Sequence, residues 1–467
     1  MEGRPIPNSL AYFALFAWPA VCVVLFVMLP VEAAAVWSLL GGYLLLPSAT
    51  SVDVLFLPPL DKFSIPAMTT FFLCWMKGTQ SPPPKHSFLV YCLAVLFILC
   101  PILTTLTNSY EVQIGNRSLP GFYPIDGLKY SFRNIIEIAP FFVGMRFLST
   151  HGGRSYLVKA ISVAALFYSI PMWFEIRFSP QLHRYVYGFF PHSFAQQIRD
   201  GGFRPVVFLG HGLETALFAS MAIVAALIAM RARWKFFGHS AGLVAGYLSV
   251  LLLFCKTLGA SIYALIAAPI ILFTRPKTWV NAALAILLVI CAYPLLRTYD
   301  LVPVQRVTKD ASSFSAERGG SFKLRVMNED ALLTKANQKP FLGWGAWGRN
   351  RVYKQGSGED LSVTDGEWIM QFGTLGWVGY LSLFGLFAAS VWQARRAVRG
   401  PVTQNTVVIG GLTLLLAVNA LDLIPNADLR PLTYLLAGTI AGCVAAPYRR
   451  KVAQPEIERS PAVAVVS

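Results

Sequence analysis

Apolar windows of roughly twenty residues recur along this chain from residue 9 to residue 447, and that repetition limits its fold more than any motif does. Each window is long enough to cross the hydrocarbon core of a bilayer as a helix. They fall near 9–29, 33–50, 62–76, 87–106, 130–148, 156–176, 211–230, 239–256, 258–274, 278–296, 366–392, 403–422 and 431–447. That makes about thirteen spans, or twelve if two of the poorly separated early windows belong together. The stretch 33–63 carries Pro47, Asp53, Pro58, Pro59 and Asp61, the pattern of one span followed by a re-entrant or interfacial piece. Charged residues are only 13% of the chain, against about a quarter in soluble domains, and mean hydropathy is +0.55. The expected fold is an all-α polytopic transmembrane bundle, a single domain over 1–447. The tail 448–467 reads as disordered and cytoplasmic.

A net charge of +16 invites a nucleic-acid reading, but the charge is distributed as topology. Cations cluster in alternate short loops: Lys77/Lys85, Arg146/Arg154/Lys159, Arg231/Arg233/Lys235, Arg275/Lys277, Arg395/Arg396/Arg399 and Arg449/Arg450/Lys451. The intervening loops, such as 107–128 and 423–429, hold few. By the positive-inside rule the basic loops and the C-terminus face the cytoplasm. The two long polar loops, about 177–210 and 297–365, then face outward, into the periplasm of a Gram-negative cell. The first holds four basic residues against one acidic, the second eleven against eight, which points to an anionic partner there. All seven cysteines sit in apolar spans without CxxC spacing, so neither disulfides nor thiolate metal sites are expected. The six histidines (His86, His151, His183, His192, His211, His239) lack ligand spacing, and no metal is expected from them either. The first apolar window is longer than a signal-peptide core and its leading segment has only Arg4, so cleavage is not expected.

Charges inside spans are costly and default to paired or functional roles. Arg133 and Glu137 stand at i, i+4 in the fifth span. They read either as an internal ion pair or as an arginine facing a substrate cavity with Glu137 orienting it. Lys256 ends a span and is expected to snorkel to the interface. Asp422, Asn426, Asp428 and Arg430 cluster at the outer ends of two adjacent spans, as a local polar network or a wall of an external site. In GGFRPVVFLGHGLETALF (201–218), Gly201, Gly202 and Pro205 break any helix before a span starts near His211. Arg204, His211 and Glu214 thereby gather at the mouth of that span, where a helix N-terminus adds partial positive charge.

The densest polar island runs from Arg318 to Gly379. Its SFKLRVMNEDALLTKANQ stretch reads as a helix whose Leu324, Met327, Ala331 and Leu332 form an apolar stripe, suited to lying on a membrane surface. KPFLGWGAWGRNR follows, with glycines that let backbone approach a ligand and with Trp344 and Trp347 between them. Tryptophan faces pack against sugar rings, and they also populate membrane interfaces.

This region resembles the O-antigen polymerase and O-antigen ligase family of bacterial inner-membrane proteins. The shared pattern is an Arg-rich amphipathic piece and a Pro-hydrophobic-Gly-Trp-Gly turn (Pro340, Gly343, Trp344, Gly345). After a polar gap comes a site residue eleven positions before a Gly-x-x-Gly, here Gly376 and Gly379. The family pattern carries His-Asn at that site; this chain carries Asp365 and Gly366. The similarity covers about 200–392. It implies an all-helical, lipid-carrier-dependent glycosyltransferase fold and glycan transfer from a polyprenyl-diphosphate carrier to an acceptor hydroxyl outside the cytoplasmic membrane. The implied product is polymerised repeat units of an exopolysaccharide or O-antigen. Ligation of finished glycan to a lipid A-core acceptor, or transfer to a protein, is the close variant.

The residues permit that chemistry on their own terms. A diphosphate-linked sugar already has a good leaving group, so no cofactor or nucleotide-binding domain is needed. Arginines can clamp the diphosphate; Arg204 and Arg325 are the foremost candidates, with Arg318, Arg349 and Arg351 behind them and His211 and Trp344 completing the binding set. Asp365 is the expected general base and Glu367 its reserve, although an aspartate ahead of a helix also reads as an N-cap. The expected partners are the lipid-linked donor, a glycan or lipid A-core acceptor, membrane lipid and other polysaccharide-assembly proteins, with no nucleic acid. A flippase of lipid-linked oligosaccharide is the competing class. Transporters usually show repeated halves, and this chain shows no such symmetry. The blandest alternative is a membrane scaffold for a polysaccharide-assembly complex.

Overall fold

The computed structural model describes residues 6–54, 58–78, 88–304, 316–427 and 429–443; the side chains of 316–319, 321 and 322 fall outside that set. Helices occupy every predicted span: α1 Ser9–Met28, α2 Val31–Leu45, α3 Ser64–Lys77, α4 Phe88–Leu106, α5 Pro124–Phe147 and α6 His151–Phe178. A short α7, Leu182–Tyr187, precedes α8 Gly212–Arg231, α9 Ala241–Phe254, α10 Leu258–Phe273 and α11 Pro276–Thr298. The loop helix α12 covers Ala316–Ala336, followed by α13 Glu367–Ala394, α14 Gln404–Asp422 and α15 Pro431–Ala441. Among the described residues, seven of these (α1, α4, α6, α8, α11, α13 and α14) are long and apolar enough to cross a membrane. The chain is therefore a helical, polytopic membrane protein. α5 has the length but carries Asp126, Lys129, Arg133, Glu137 and Arg146. Among the described residues, strands are confined to four antiparallel two-stranded hairpins in the connections. One of them pairs Ser51–Val52 with Leu60–Asp61, between α2 and α3. The tail 448–467 lies outside the described residues, as does Asp428.

α8 and α14 form the centre. Their apolar windows are 89% and 83% buried, against 28% for the peripheral α1, as expected of helices hydrophobic on every side. α5 and α15 pack unusually closely because Gly144 backs onto the Leu435 carbonyl and Gly438 onto the Phe141 carbonyl. That approach brings Arg133 and Glu137 of α5 to the same wall as Arg430, at the start of α15.

α13 is broken. Gly376 adopts φ 62°, ψ −163°, a region that only glycine enters readily. Inside a span every amide exposed by a break needs a partner, and the turn 340–345 supplies them. Trp377 N–H donates to Pro340 O (2.7 Å) and Val378 N–H to Phe341 O (3.1 Å). In return Trp344 and Gly345 N–H donate to Gly373 and Thr374 O, both at 2.9 Å. Thr104 Oγ1 and Asn108 Nδ2 hold the same turn through Leu342 O and Gly343 O. Gly343 and Gly376 thus approach backbone and their conformations serve the break, whereas Gly345 faces the Phe122 ring and lines the cavity described below. Only part of the predicted stripe on α12 is covered: Leu332 is buried, while Leu324 and Met327 stay exposed.

Candidate functional site

Between α3, α4, α5, the first half of α13 and the start of α15 lies a cavity of about 600 Å³. Pro58, Pro59, Pro101, Phe122, Met370, Leu375 and Tyr434 give it apolar walls. Its polar groups are Arg133, Glu137, Glu367, Gln371 and Arg430, with Asp61, Asn134, Thr104 and Thr105 around them.

Arg133 Nε sits 2.6 Å from Glu137 Oε1, and the two side chains are 58% and 31% exposed although they lie in mid-helix. The ion pair and the cavity-facing arginine are one arrangement. Glu367, the first residue of α13, is 8% exposed; its Oε1 accepts from Gln371 Nε2 at 2.7 Å, one helical turn on, and it lies within electrostatic reach of Arg133. Asn426 O receives the Glu367 N–H at 3.2 Å, which ties the start of α13 to the loop ahead of α15. Arg430 enters the cavity wall with its Nη2 3.0 Å from Glu214 Oε2, a carboxylate that also accepts from Gly210 N–H at 2.8 Å. Its guanidinium lies 5.3 Å from the Phe63 ring centre, so an aromatic face supports the charge.

The residues expected to form the site divide into three groups. Glu367 alone lines the cavity. Arg325 and Asp365 form a separate ion pair outside it, Nε to Oδ2 3.3 Å, each about a third exposed, with Arg325 Nη1 reaching Pro425 O at 3.4 Å. Gly366, not Asp365, is the N-cap of α13, so capping does not explain the aspartate. Arg204 is 8% exposed and donates to Lys256 O at 3.2 Å. His211 caps α8: its Nδ1 accepts from Leu213 N–H at 3.0 Å and its Nε2 faces Gln196 Oε1 at 3.3 Å. Burial, with His192, Arg204 and Arg325 nearby, pushes the His211 imidazole down to about 3, so it is neutral and fixed in one tautomer.

The third group is architectural, for a physical reason in each case. Arg349 is 2% exposed and donates to Tyr110 O and Pro120 O, both at 2.9 Å, and to Trp344 O at 3.3 Å. It fastens the 107–123 connection to the outer loop and lies behind Phe122 without lining the cavity itself. Trp344 is 9% exposed; its Nε1 donates to Lys335 O at 2.7 Å and the Lys335 ammonium sits 3.6 Å from its ring centre. That face is taken by a cation and is closed to a sugar. Arg351 pairs with Asp360 at 2.6 Å across an isolated bridge of the outer loop. The side chain of Arg318 lies outside the described residues. Lys256 Nζ donates to Arg199 O and Asp200 O, both at 3.0 Å, so its charge leaves the span and closes a hairpin turn.

Gln371 and Thr104 carried no sequence signal beyond their polarity. Arg133, Glu137 and Arg430 did carry one, as charges within or beside spans, and the structure gathers them. No known family model and no curated protein sequence matches the chain.

Proposed function

We propose that this cavity transfers glycan from a polyprenyl-diphosphate carrier to an acceptor hydroxyl, and that the product is a polymer of repeat units. One observation carries the reading: Arg133 and Arg430 meet Glu137 and Glu367 in a 600 Å³ space with apolar residues in its other walls, where the third carboxylate, Asp61, is engaged by the Phe63 and Ser64 amides. An isoprenoid diphosphate presents the complementary pattern of anionic head and oily tail. Arg133 and Arg430 hold the diphosphate and offset the charge that grows as the bond to the sugar breaks. The acceptor oxygen bonds to the anomeric carbon, the bond to the diphosphate oxygen breaks, and the electron pair leaves on the diphosphate. Glu367 takes the acceptor proton. Glu137, bound to Arg133, orients that guanidinium. Asp365 gives up the role of base because its carboxylate is held by Arg325 away from the cavity.

The outward orientation rests on the same helices. α5 and α13 contribute cavity residues from their first halves and end near Arg146 and Arg395, which under the positive-inside rule supports an outward-facing cavity. A broken span is also a mark of transporters, which favours the flippase reading. Here, however, both ends of the break are occupied by the 340–345 turn and offer no amide to a substrate.

The test is a deletion strain carrying the parental gene, Glu367→Gln or Arg133→Gln, with protein level measured in each. The expected result is loss of long glycan in both variants, with lipid-linked repeat units accumulating on the outer leaflet. Full-length polymer from Glu367→Gln would end the proposal. Accumulation on the inner leaflet would replace it with a flippase.

A further inference from the structure

We propose that Trp347 is a saccharide-stacking subsite at the mouth of the cavity; this deepens the glycan-transfer reading and rests on it. The indole is 44% exposed, and its inner face packs on Phe122 with ring centres 4.5 Å apart at 31°. Phe122 is 3% exposed and lines the cavity. Phe122 in turn meets Tyr130 edge-on at 6.4 Å, and Tyr130 lines the cavity one helical turn before Arg133. A continuous run of rings therefore leads from the surface to the guanidinium that holds the diphosphate.

The backbone presents this ring deliberately. Trp347 has φ 58°, a left-handed conformation that is strained for a bulky residue. Gly345 and Gly348 bracket it, both at positive φ; a side chain on the first would enter the Phe122 ring and on the second would strike the Tyr353 hydroxyl. Buried Arg349 anchors the next residue but one. A strained conformation held on both sides, with one ring contact on Phe122 and 44% of the residue exposed, fits a ligand platform. Pyranose C–H bonds carry slight positive charge and pack on the negative face of an indole, whereas Trp344 in the same motif has that face occupied by Lys335. Exposed tryptophans also anchor helices at lipid interfaces. Trp75 and Trp392, 72% and 55% exposed near the far ends of α3 and α13, have that disposition and serve as controls. Trp347 differs in its stack on a cavity residue.

The test uses the full chain reconstituted in vesicles, with the lipid-linked repeat unit extracted from the producing strain as substrate. Trp347→Leu keeps apolar bulk without a π face. It should raise KM about tenfold, with kcat within about twofold. Trp347→Phe should stay within about threefold of the parent on both. Equal KM for the parent and Trp347→Leu overturns the subsite while leaving glycan transfer intact. Loss of membrane insertion shared by Trp347→Leu, Trp75→Leu and Trp392→Leu overturns it in favour of an interfacial anchor. A parental chain that neither turns over this substrate nor binds the oligosaccharide released from it by mild acid removes both the subsite and the reading beneath it.

Discussion

Arg133 and Arg349 are the same residue type in two regions, and their surroundings differ in kind. Arg349 is sealed in the outer loop and donates to three backbone carbonyls that fix one connection against another. Arg133 faces open volume, and it pairs closely with a carboxylate on its own helix. A guanidinium spent on backbone carbonyls specifies structure. One oriented by a carboxylate and still exposed to a cavity keeps donors for a ligand. The contrast separates the motif that draws the eye in this sequence from the place where chemistry has room to occur.

Substitutions should separate the two regions further. Arg133→Gln is expected to lower turnover about 10²-fold or more with folded yield unchanged, as for removal of a donor to developing negative charge. Arg349→Gln should do the reverse, with a stability loss of about 3 kcal/mol from unpaired carbonyls and normal turnover per folded molecule. Thermal unfolding in detergent alongside the reconstituted assay reads both. Equal behaviour of the two variants would erase the distinction. Gly376→Ala places a side chain in a glycine-only conformation against the Phe341 carbonyl. It should cost about 2–3 kcal/mol in the same unfolding measurement.

The Arg325–Asp365 pair is a smaller case. Both side chains are about a third exposed, so a double-mutant cycle on stability should give a coupling of about 0.5–1 kcal/mol. A further expected effect is a slope against pH. Glu329 on α12 is raised to about 7, first by burial, while Arg297 nearby pulls it down. Its proton is held more tightly in the folded chain than in the unfolded one. Its contribution to stability is therefore greatest below the ordinary glutamate value of 4.5, falls as pH rises toward 7, and is level above that. Glu329→Gln should flatten that part of the unfolding profile, and an unchanged slope would remove Glu329 as its source.

Much of this architecture was legible in the sequence because a span announces itself locally. A twenty-residue apolar run needs no partner to be recognised, and each predicted window holds a helix. Boundaries were less legible: α5 starts at Pro124 rather than near 130, because Tyr123 N–H donates to the Asp126 carboxylate and opens the helix early. The site was legible in pieces. Arg133 with Glu137 could be read from i, i+4 spacing, but the Arg430–Glu214 bridge joins residues more than two hundred positions apart and has no local sign. The glycines of the 343–348 turn read as ligand contacts, and Gly376 was legible only as part of a Gly-x-x-Gly pattern. Their use in repairing a broken helix depends on pairing between segments that sequence alone does not align. Asp365 and Glu367 are two positions apart, and only the direction of the chain entering α13 decides which one reaches the cavity.

That choice gives the most direct test. Turnover of the extracted lipid-linked repeat unit by reconstituted Glu367→Gln and Asp365→Asn should be measured side by side at matched protein content. The expected result is a fall of about 10²-fold or more for Glu367→Gln and of less than about tenfold for Asp365→Asn. The reverse order, with Glu367→Gln active and Asp365→Asn inert, would contradict the assignment of the chemistry to the cavity.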